Sequence, residues 1–218
     1  TVKMAGKVVL YSFYRSSASW RVRIALALKG IEYEYVPVDL FKDGGEQHTD
    51  AYKKLNPMGQ VPTLYIDGHY LTQSLPIIEY LEEKYPEPAL LPDDSFGRAQ
   101  VRALAELINS GIQPLQNNTT IMMIGEKAEE WTRHHIEYGF KALENLLEQT
   151  SGVYSYGDNV TIADVFLVPQ IFGAKRNKVD LSKFPNITRI HDVLAELPEF
   201  KAADVYRQPD TPEDVRVN

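Results

Sequence analysis

The change in hydrophobic pattern near residue 86 constrains the fold of this chain more than any other feature. Before it, short β-type runs alternate with segments of helical period, and after it only helical periods occur. The stretch between them, "PEPALLPDD" (86–94), contains three prolines within seven residues. Proline interrupts helices and strands, so this stretch is predicted to contain a linker. The pattern predicts an α/β domain over 1–86, a linker over 87–92 and an all-helical domain over 93–218.

The first domain begins with a predicted strand and helix. Val8–Phe13 is β-branched and aromatic, as in a buried strand. From Ser19 the period becomes helical, and Gly30 after Lys29 ends the helix. Its predicted buried face consists of Trp20, Ile24, Ala27 and Leu28.

The rest of this domain predicts a strand, at most a short helix, a hairpin and a second helix. The stretch "IEYEYVPV" (31–38) begins with apolar and acidic side chains alternating over 31–35, which is typical of a half-exposed strand, and "DAYKKL" (50–55) allows at most one short helix. Asp67-Gly68 is a hairpin turn between two apolar runs. Ser74 is the predicted cap of a helix that stops at Pro86. A parallel βαβ unit followed by a ββα unit makes one mixed sheet.

The second domain contains long segments of helical period. The segment 160–176 is apolar almost all round, which predicts a buried central helix. Thr161 and Asp164 have the spacing of a reciprocal cap at its start, and we assign them to folding.

Composition excludes several classes of function. The net charge of -7 argues against nucleic acid or an anionic membrane as the main partner. The chain has no cysteine, so thiol chemistry needs a thiol brought by a ligand. The five histidines form no metal pattern, since His134 and His135 are adjacent on a predicted helix and point in different directions. We find no secretory signal or membrane span, so a cytoplasmic protein is expected.

One stretch, "RSSASWRVRIAL" (15–26), crowds serines and arginines around the start of the first helix. Hydroxyls there are ordinary caps, but cations are unusual because the positive end of a helix dipole favours anions. From the residues alone, a plain cap and a site for an anionic ligand are about equally supported.

The chain resembles the cytosolic glutathione transferases, and specifically their zeta class, which includes maleylacetoacetate isomerase. The stretches that carry the resemblance run from end to end: "SSASWRVRIALALKG", "LNPMGQVPTL", "QSLPIIEYLEE", "GIQPLQN", "TIADVFLVPQ" and "RQPDTP". The resemblance implies a thioredoxin-like domain followed by an all-helical domain, a homodimer, and glutathione as cofactor.

It also implies site residues. The residues expected to contact glutathione are Ser16, Ser17, Ala18, Ser19, Trp20, Arg21, Gln47, Val61, Gln73, Ser74, Gln113, Asn117, Asn118 and Thr119. Ser16 is the first choice to face the sulfur, and Ser17 the second. Gln73 and Ser74 suit the γ-glutamyl carboxylate. Val61 precedes a proline that is cis in related proteins, which exposes its backbone to the cysteinyl part, and Gln47 reaches the glycyl end.

Energetics favour a hydroxyl at the helix start as the activating group. Lowering the pKa of a thiol by about two requires roughly 2.7 kcal/mol of preferential stabilisation of the anion. A helix N-terminus supplies about 0.3–1 kcal/mol, and a hydrogen bond to a charged group about 1.5–3 kcal/mol. One serine at the helix start is therefore about sufficient, and Arg15, Arg21 and Arg23 can raise the local potential further.

The implied reaction is the glutathione-dependent cis–trans isomerisation of maleylacetoacetate, in tyrosine and phenylalanine breakdown. Arg15 and Arg176 are the candidates for holding substrate carboxylates, because arginine binds them bidentately. Transfer of glutathione to small α-halo acids is an expected secondary activity. The alternatives are a general conjugating transferase or peroxidase, and a non-enzymatic member of the superfamily.

The sequence departs from the family pattern at one important position. The pattern is Ser-Ser-Cys-x-Trp, and Ala18 stands at the cysteine position. Because glutathione supplies the reacting sulfur, an alanine leaves the core mechanism possible but is expected to affect its efficiency.

Overall fold

The computed structural model describes residues 6–217, which form two compact units. One unit comprises Thr1–Pro88 together with Pro198–Asn218, and the other comprises Ala89–Leu197. This division differs from the ranges 1–86 and 93–218 at the C-terminus. The last segment packs with the first unit because buried side chains hold it there: Arg23 Nε donates to the carbonyl of Ala203 at 3.1 Å.

In the first unit, the described residues form one four-stranded sheet and four α-helices. Its elements are β1 (Val9–Ser12), α1 (Ser17–Leu28), β2 (Glu34–Pro37), α2 (Asp50–Lys53), β3 (Thr63–Ile66), β4 (His69–Thr72), α3 (Ser74–Lys84) and α9 (Pro198–Ala203). The strand order is β2-β1-β3-β4. β1 pairs in parallel with β2 and antiparallel with β3, and β3–β4 is an antiparallel hairpin. This is the predicted mixed sheet.

Local sequence explains the hairpin. Ile66 pairs with His69, so the loop has two residues, and both Asp67 (φ 51°) and Gly68 (φ 83°) have positive φ. Positive φ at both positions is the requirement of a type I′ turn, which Asp-Gly meets at low cost.

Helix α1 differs from its prediction in start and in burial. It begins at Ser17, two residues before the predicted start. It is buried nearly all round, with Val22 and Leu26 fully inaccessible, whereas Ala27 and Leu28 of the predicted face are only half-buried. The single-face expectation was wrong because α1 packs against both α3 and α9.

The end of α1 is fixed by a buried ammonium group. Lys29 Nζ lies 2.6 Å from a carboxylate oxygen of Glu82 and 2.6 Å from the carbonyl of Pro88. These contacts join α1, α3 and the segment that follows α3. The pairing matters because a buried charge persists only when it is paired and hydrogen-bonded.

The second unit is helical. Its helices are α4 (Ser95–Gly111), α5 (Asn118–Ile124), α6 (Ala128–Thr150), α7 (Ile162–Arg176) and α8 (Pro185–Ala195). Within 73–217, strand-type pairing is limited to an isolated bridge between Ser151 and Gly157. No helix among the described residues is long and apolar enough to cross a membrane.

Helix α7 is the predicted buried helix. Its residues from Ile162 to Ile171 are all buried. The reciprocal cap is present, and the Asp164 carboxylate accepts the backbone N–H of Thr161 at 2.8 Å. Burial raises the pKa of the Asp164 carboxyl.

Candidate functional site

Ser16 caps helix α1. A serine cap at this position was one of the two interpretations of the serine-rich stretch. Its Oγ accepts the backbone N–H of Ser19 at 3.2 Å, and its own N–H donates to the carbonyl of Phe13 at 3.0 Å. Ser16 is half-buried, and within residues 6–217 its hydroxyl proton is donated to no acceptor. The cap therefore uses one lone pair of Oγ and leaves the O–H available to a ligand.

The residues that follow Ser16 differ in access. Ser17 and Ala18 are half-buried in the first turn of α1, whereas Ser19 and Trp20 are buried at 0% and 4% exposure. The Ser19 hydroxyl has no hydrogen-bond partner in the described part of the chain. Within this stretch, Ser16, Ser17 and Ala18 are the side chains a ligand can reach without rearrangement.

Arg21 links the two helix starts that were predicted to bind glutathione. It is 1% exposed, and its Nη1 donates to Ser74 Oγ at 3.2 Å. The starts of α1 and α3 are therefore neighbours, although 53 residues separate the two side chains in the sequence. Two helix N-termini that converge attract anions more strongly than one.

Ser74 was predicted to cap α3, and this is wrong. The cap position is Gln73, whose side chain makes no capping bond, and Ser74 is the first helical residue. The local rule failed because the Ser74 hydroxyl is buried and accepts the hydrogen bond from Arg21.

Gln73 itself is exposed and has φ 69° and ψ 126°. Positive φ costs a residue other than glycine about 1–3 kcal/mol, and such conformations cluster at functional sites.

The Val61-Pro62 peptide bond is cis, as the resemblance implied. Two side chains not identified from the sequence hold the preceding peptide group: Tyr52 Oη and Asn56 Nδ2 each donate to the carbonyl of Gln60 at 2.8 Å. Burial raises the pKa of Tyr52 to about 12, so the phenol remains a donor at neutral pH. The Asn-Pro turn was the available sequence signal for Asn56.

Gln47 is buried at 8% exposure, in a short 3-10 helix (Glu46–His48). Its Nε2 donates to the Leu40 carbonyl at 3.4 Å, and within residues 6–217 its Oε1 accepts no hydrogen bond. A Cβ at Gly59 would lie 3.0 Å from the Gln47 carbonyl, so the absence of a side chain there lets the two loops approach.

Arg15 lies among aromatic rings. Its guanidinium carbon is 5.9 Å from the Tyr14 ring centroid and 5.8 Å from that of Phe41. Such contacts leave the charge and the guanidinium edges free for an anion.

Arg23 does not face the serines as a free cation. It is fully buried, and it donates to the Tyr14 carbonyl at 2.9 Å, the Phe13 carbonyl at 3.4 Å and Ser12 Oγ at 3.3 Å. Burial lowers its pKa from the ordinary arginine value. The sequence analysis expected Arg23 to raise the local potential, and it did not predict that Arg23 hydrogen-bonds the segment before α1.

In the helical unit, the predicted polar residues lie together after α4. Gln113 Nε2 donates to Asn117 Oδ1 at 2.7 Å, and both residues are half-buried. Asn118 and Thr119 are exposed in the first turn of α5.

Arg176 is the last residue of α7 and is exposed, with its guanidinium carbon 5.9 Å from the Phe172 ring centroid. A Cβ at Gly173 would lie 3.0 Å from Gln116 Oε1. The last turn of α7 therefore packs against the segment that carries Gln113 and Asn117.

No group of three or more His, Cys, Asp or Glu side chains suited to a metal ion occurs in 6–217.

Comparisons with known proteins identify the same family in both units. The family model for the glutathione S-transferase N-terminal domain matches residues 10–89, and that for the C-terminal domain matches 118–203. The chain is 54% identical over 213 residues to the mouse (Mus musculus) protein named maleylacetoacetate isomerase, covering 97% of this chain and 99% of that one.

Solved structures agree as well. Maleylacetoacetate isomerase from Anaeromyxobacter dehalogenans, with glutathione bound in its active site, is 48% identical, has a TM-score of 0.87, and the match covers 94% of this chain and 98% of that one. A bacterial maleylpyruvate isomerase described as a zeta-class glutathione S-transferase is 43% identical, with a TM-score of 0.90 and coverage of 94% and 100%. These matches confirm the predicted resemblance and fold class.

Proposed function

Since the chain belongs to the glutathione S-transferase family and to its zeta class, we propose that it is a glutathione-dependent cis–trans isomerase of maleylacetoacetate. The observation that carries the proposal is the Ser16 hydroxyl. It caps α1 through its oxygen while its proton has no acceptor within 6–217, at the positive end of a 12-residue helix. A thiolate placed there receives both the hydrogen bond and the favourable end of the dipole.

The residues of the first unit fit glutathione. Gln47 Oε1 is a buried acceptor without a donor within 6–217, which suits an amide N–H of a bound peptide. The starts of α1 and α3, which the Arg21–Ser74 hydrogen bond joins, suit a carboxylate. We assign the γ-glutamyl carboxylate to Gln73 and Ser74, the cysteinyl backbone to Val61, and the glycyl end to Gln47.

When bound, glutathione would supply a thiol whose addition converts the conjugated double bond to a single bond that can rotate, and whose elimination restores the double bond and frees the thiol. The Ser16 O–H donates a hydrogen bond to the sulfur and thereby favours its anionic form, with Ser17 as the second candidate. Arg15 and Arg176 hold the substrate carboxylates and stabilise the negative charge that develops on the adjacent carbonyl oxygen. Gln113, Asn117, Asn118 and Thr119 remain proposed contacts of glutathione.

Further properties follow from the same proposal. The enzyme acts in tyrosine and phenylalanine catabolism in the cytoplasm as a homodimer, and it transfers glutathione to small α-halo acids as a secondary activity. Sedimentation at micromolar concentration tests the dimer.

The proposal is tested by following maleylacetone, a stable analogue of the substrate, with catalytic glutathione and with none. We expect turnover that requires glutathione and leaves its concentration unchanged. Consumption of glutathione instead would identify a conjugating transferase or peroxidase. Glutathione binding without turnover of maleylacetone or an α-halo acid would identify a non-enzymatic member.

A further inference from the structure

The C-terminal segment after α9 contacts the turn that carries Ser16. Asp210 Oδ2 accepts the backbone N–H of Tyr14 at 2.8 Å, across 196 residues of sequence. Its other oxygen, Oδ1, accepts the hydroxyl of Tyr35 at 2.6 Å. Both oxygens of this carboxylate are therefore bonded, one of them to a peptide group two residues before Ser16.

The same turn is held from its other side by Arg23. The guanidinium donates to the carbonyls of Phe13 and Tyr14, and Ser16 N–H closes the turn onto the Phe13 carbonyl at 3.0 Å. The N–H and C=O groups of Tyr14 are thus bonded to Asp210 and Arg23, respectively. A backbone fixed at successive peptide groups has little freedom to move the side chain that follows it.

The segment that presents Asp210 is itself well ordered by hydrogen bonds. Gln208 Nε2 donates to the carbonyls of Ala202 and Asp204 at 3.1 and 2.7 Å, and Thr211 Oγ1 donates to the Val205 carbonyl at 2.7 Å. Gln208 and Thr211 are buried at 4% and 1% exposure. A rigid support is what a side chain needs in order to position another group.

We propose that Asp210 is a positioning residue, which acts through the Tyr14 peptide group to hold the Ser16 hydroxyl at the sulfur; this rests on the proposed role of Ser16. The "RQPDTP" stretch then has a function in the reaction although it follows the last helix. Its effect is geometric, because the carboxylate is directed at the Tyr14 N–H and the Tyr35 hydroxyl.

The experiment compares Asp210→Ala, Asp210→Asn and Tyr35→Phe with Asp214→Asn as the control. Asp214 is exposed on the same segment, so its variant removes the same charge without touching the turn. Two readouts are measured: amide hydrogen exchange of residues 13–19 without ligand, and the pKa of the bound glutathione thiol from thiolate absorbance together with kcat and KM.

For Asp210→Ala we expect faster exchange of residues 13–19, a raised thiol pKa, and a kcat lower by about tenfold to a hundredfold, because small misplacements of a reacting group have effects of this size. Asp210→Asn keeps an acceptor for the Tyr14 N–H and should stay close to wild type. Tyr35→Phe should lie between them, and Asp214→Asn should match wild type.

The results that would refute the role of Asp210 differ from those that would refute the proposed isomerase function. Wild-type exchange, thiol pKa and kcat in Asp210→Ala would remove the role of Asp210 and leave the isomerase intact. Faster exchange with unchanged thiol pKa and kcat would show a structural contact only. A lower thiol pKa in Asp210→Asn would show that the charge acts, not the geometry. A wild type without isomerase activity would refute the proposed function, while exchange still reports on the contact.

Discussion

Arg21 and Ser74 form a hydrogen bond of 3.2 Å between two buried side chains, and this bond joins the starts of α1 and α3. It places the proposed sulfur-binding hydroxyl and the proposed carboxylate site in one unit. The geometry of the proposed ligand site therefore depends on a contact that neither helix contains by itself.

Replacing Ser74 by Ala should weaken glutathione binding. The variant removes the hydroxyl that Arg21 contacts and one proposed ligand group, and a hydrogen bond contributes about 0.5–1.5 kcal/mol, rising to about 1.5–3 kcal/mol with a charged partner. We expect the Kd from titration calorimetry to rise about threefold to a hundredfold. Ser95→Ala is the matched control, since Ser95 is the exposed first residue of α4. An unchanged Kd in Ser74→Ala would remove Ser74 from the site.

Ser16→Gly separates catalysis from capping. Glycine at an N-cap costs only a few tenths of a kcal/mol relative to serine, so the fold should persist while the hydroxyl is lost. Without a hydrogen bond to the thiolate, kcat/KM for isomerisation should fall about tenfold to a hundredfold, with a raised thiol pKa. The comparison is Ser17→Ala, which we expect within about threefold of wild type. The reverse ranking would assign the sulfur to Ser17.

Ala18→Cys should raise the isomerase rate. Ala18 is half-buried in the first turn of α1, two residues after Ser16. A thiol at this position would add a group that can transfer protons near the proposed sulfur site. We expect kcat to rise by up to about tenfold, or about 1.4 kcal/mol, with the Kd for glutathione unchanged. Ala18→Ser provides a side chain of similar size. Equal effects of the serine and cysteine variants would show that a thiol is not required.

Acid should destabilise the fold in part through His191. Burial, opposed by Asp192 at 3.1 Å, lowers the pKa of this imidazole. The folded state then binds fewer protons than the unfolded state, so the free energy of unfolding falls as the pH drops below the unfolded value of about 6.5. His191→Gln should reduce the dependence of the denaturant-derived free energy of unfolding on pH between about pH 7 and 5, relative to wild type. Identical pH slopes in wild type and His191→Gln would contradict the assignment.

Gly139→Ala should destabilise the helical unit. A Cβ at this position of α6 would contact the side chain of buried Ile112, directly before the turn that carries Gln113. Overpacking costs about 1–3 kcal/mol and outweighs the helix propensity of alanine, worth about 1 kcal/mol at most. Gly111→Ala adds a Cβ with no neighbour within 4 Å and should be neutral or stabilising. Thermal unfolding distinguishes the two, and equal melting temperatures would refute the packing argument.

The sequence determined the parts of this protein that local chemistry controls. The Asp67-Gly68 hairpin, the Thr161–Asp164 cap and the buried period of α7 each depend on residues a few positions apart, so the pattern predicted them directly. The serine-rich helix start was identified in the same way, although its beginning was misplaced by two residues.

Only the tertiary structure decided the burial and the hydrogen-bond partners of side chains that contact residues distant in sequence. Buried Arg23 and Lys29 belong to residue types that are usually exposed, so no pattern marks them as interior. The Ser74 hydroxyl bonds Arg21 rather than capping its own helix, and Asp210 reaches Tyr14 across 196 residues. Which partner a buried side chain bonds depends on the free energy of each alternative contact. Those alternatives are defined only after folding has brought residues distant in sequence together, so a local pattern cannot predict them.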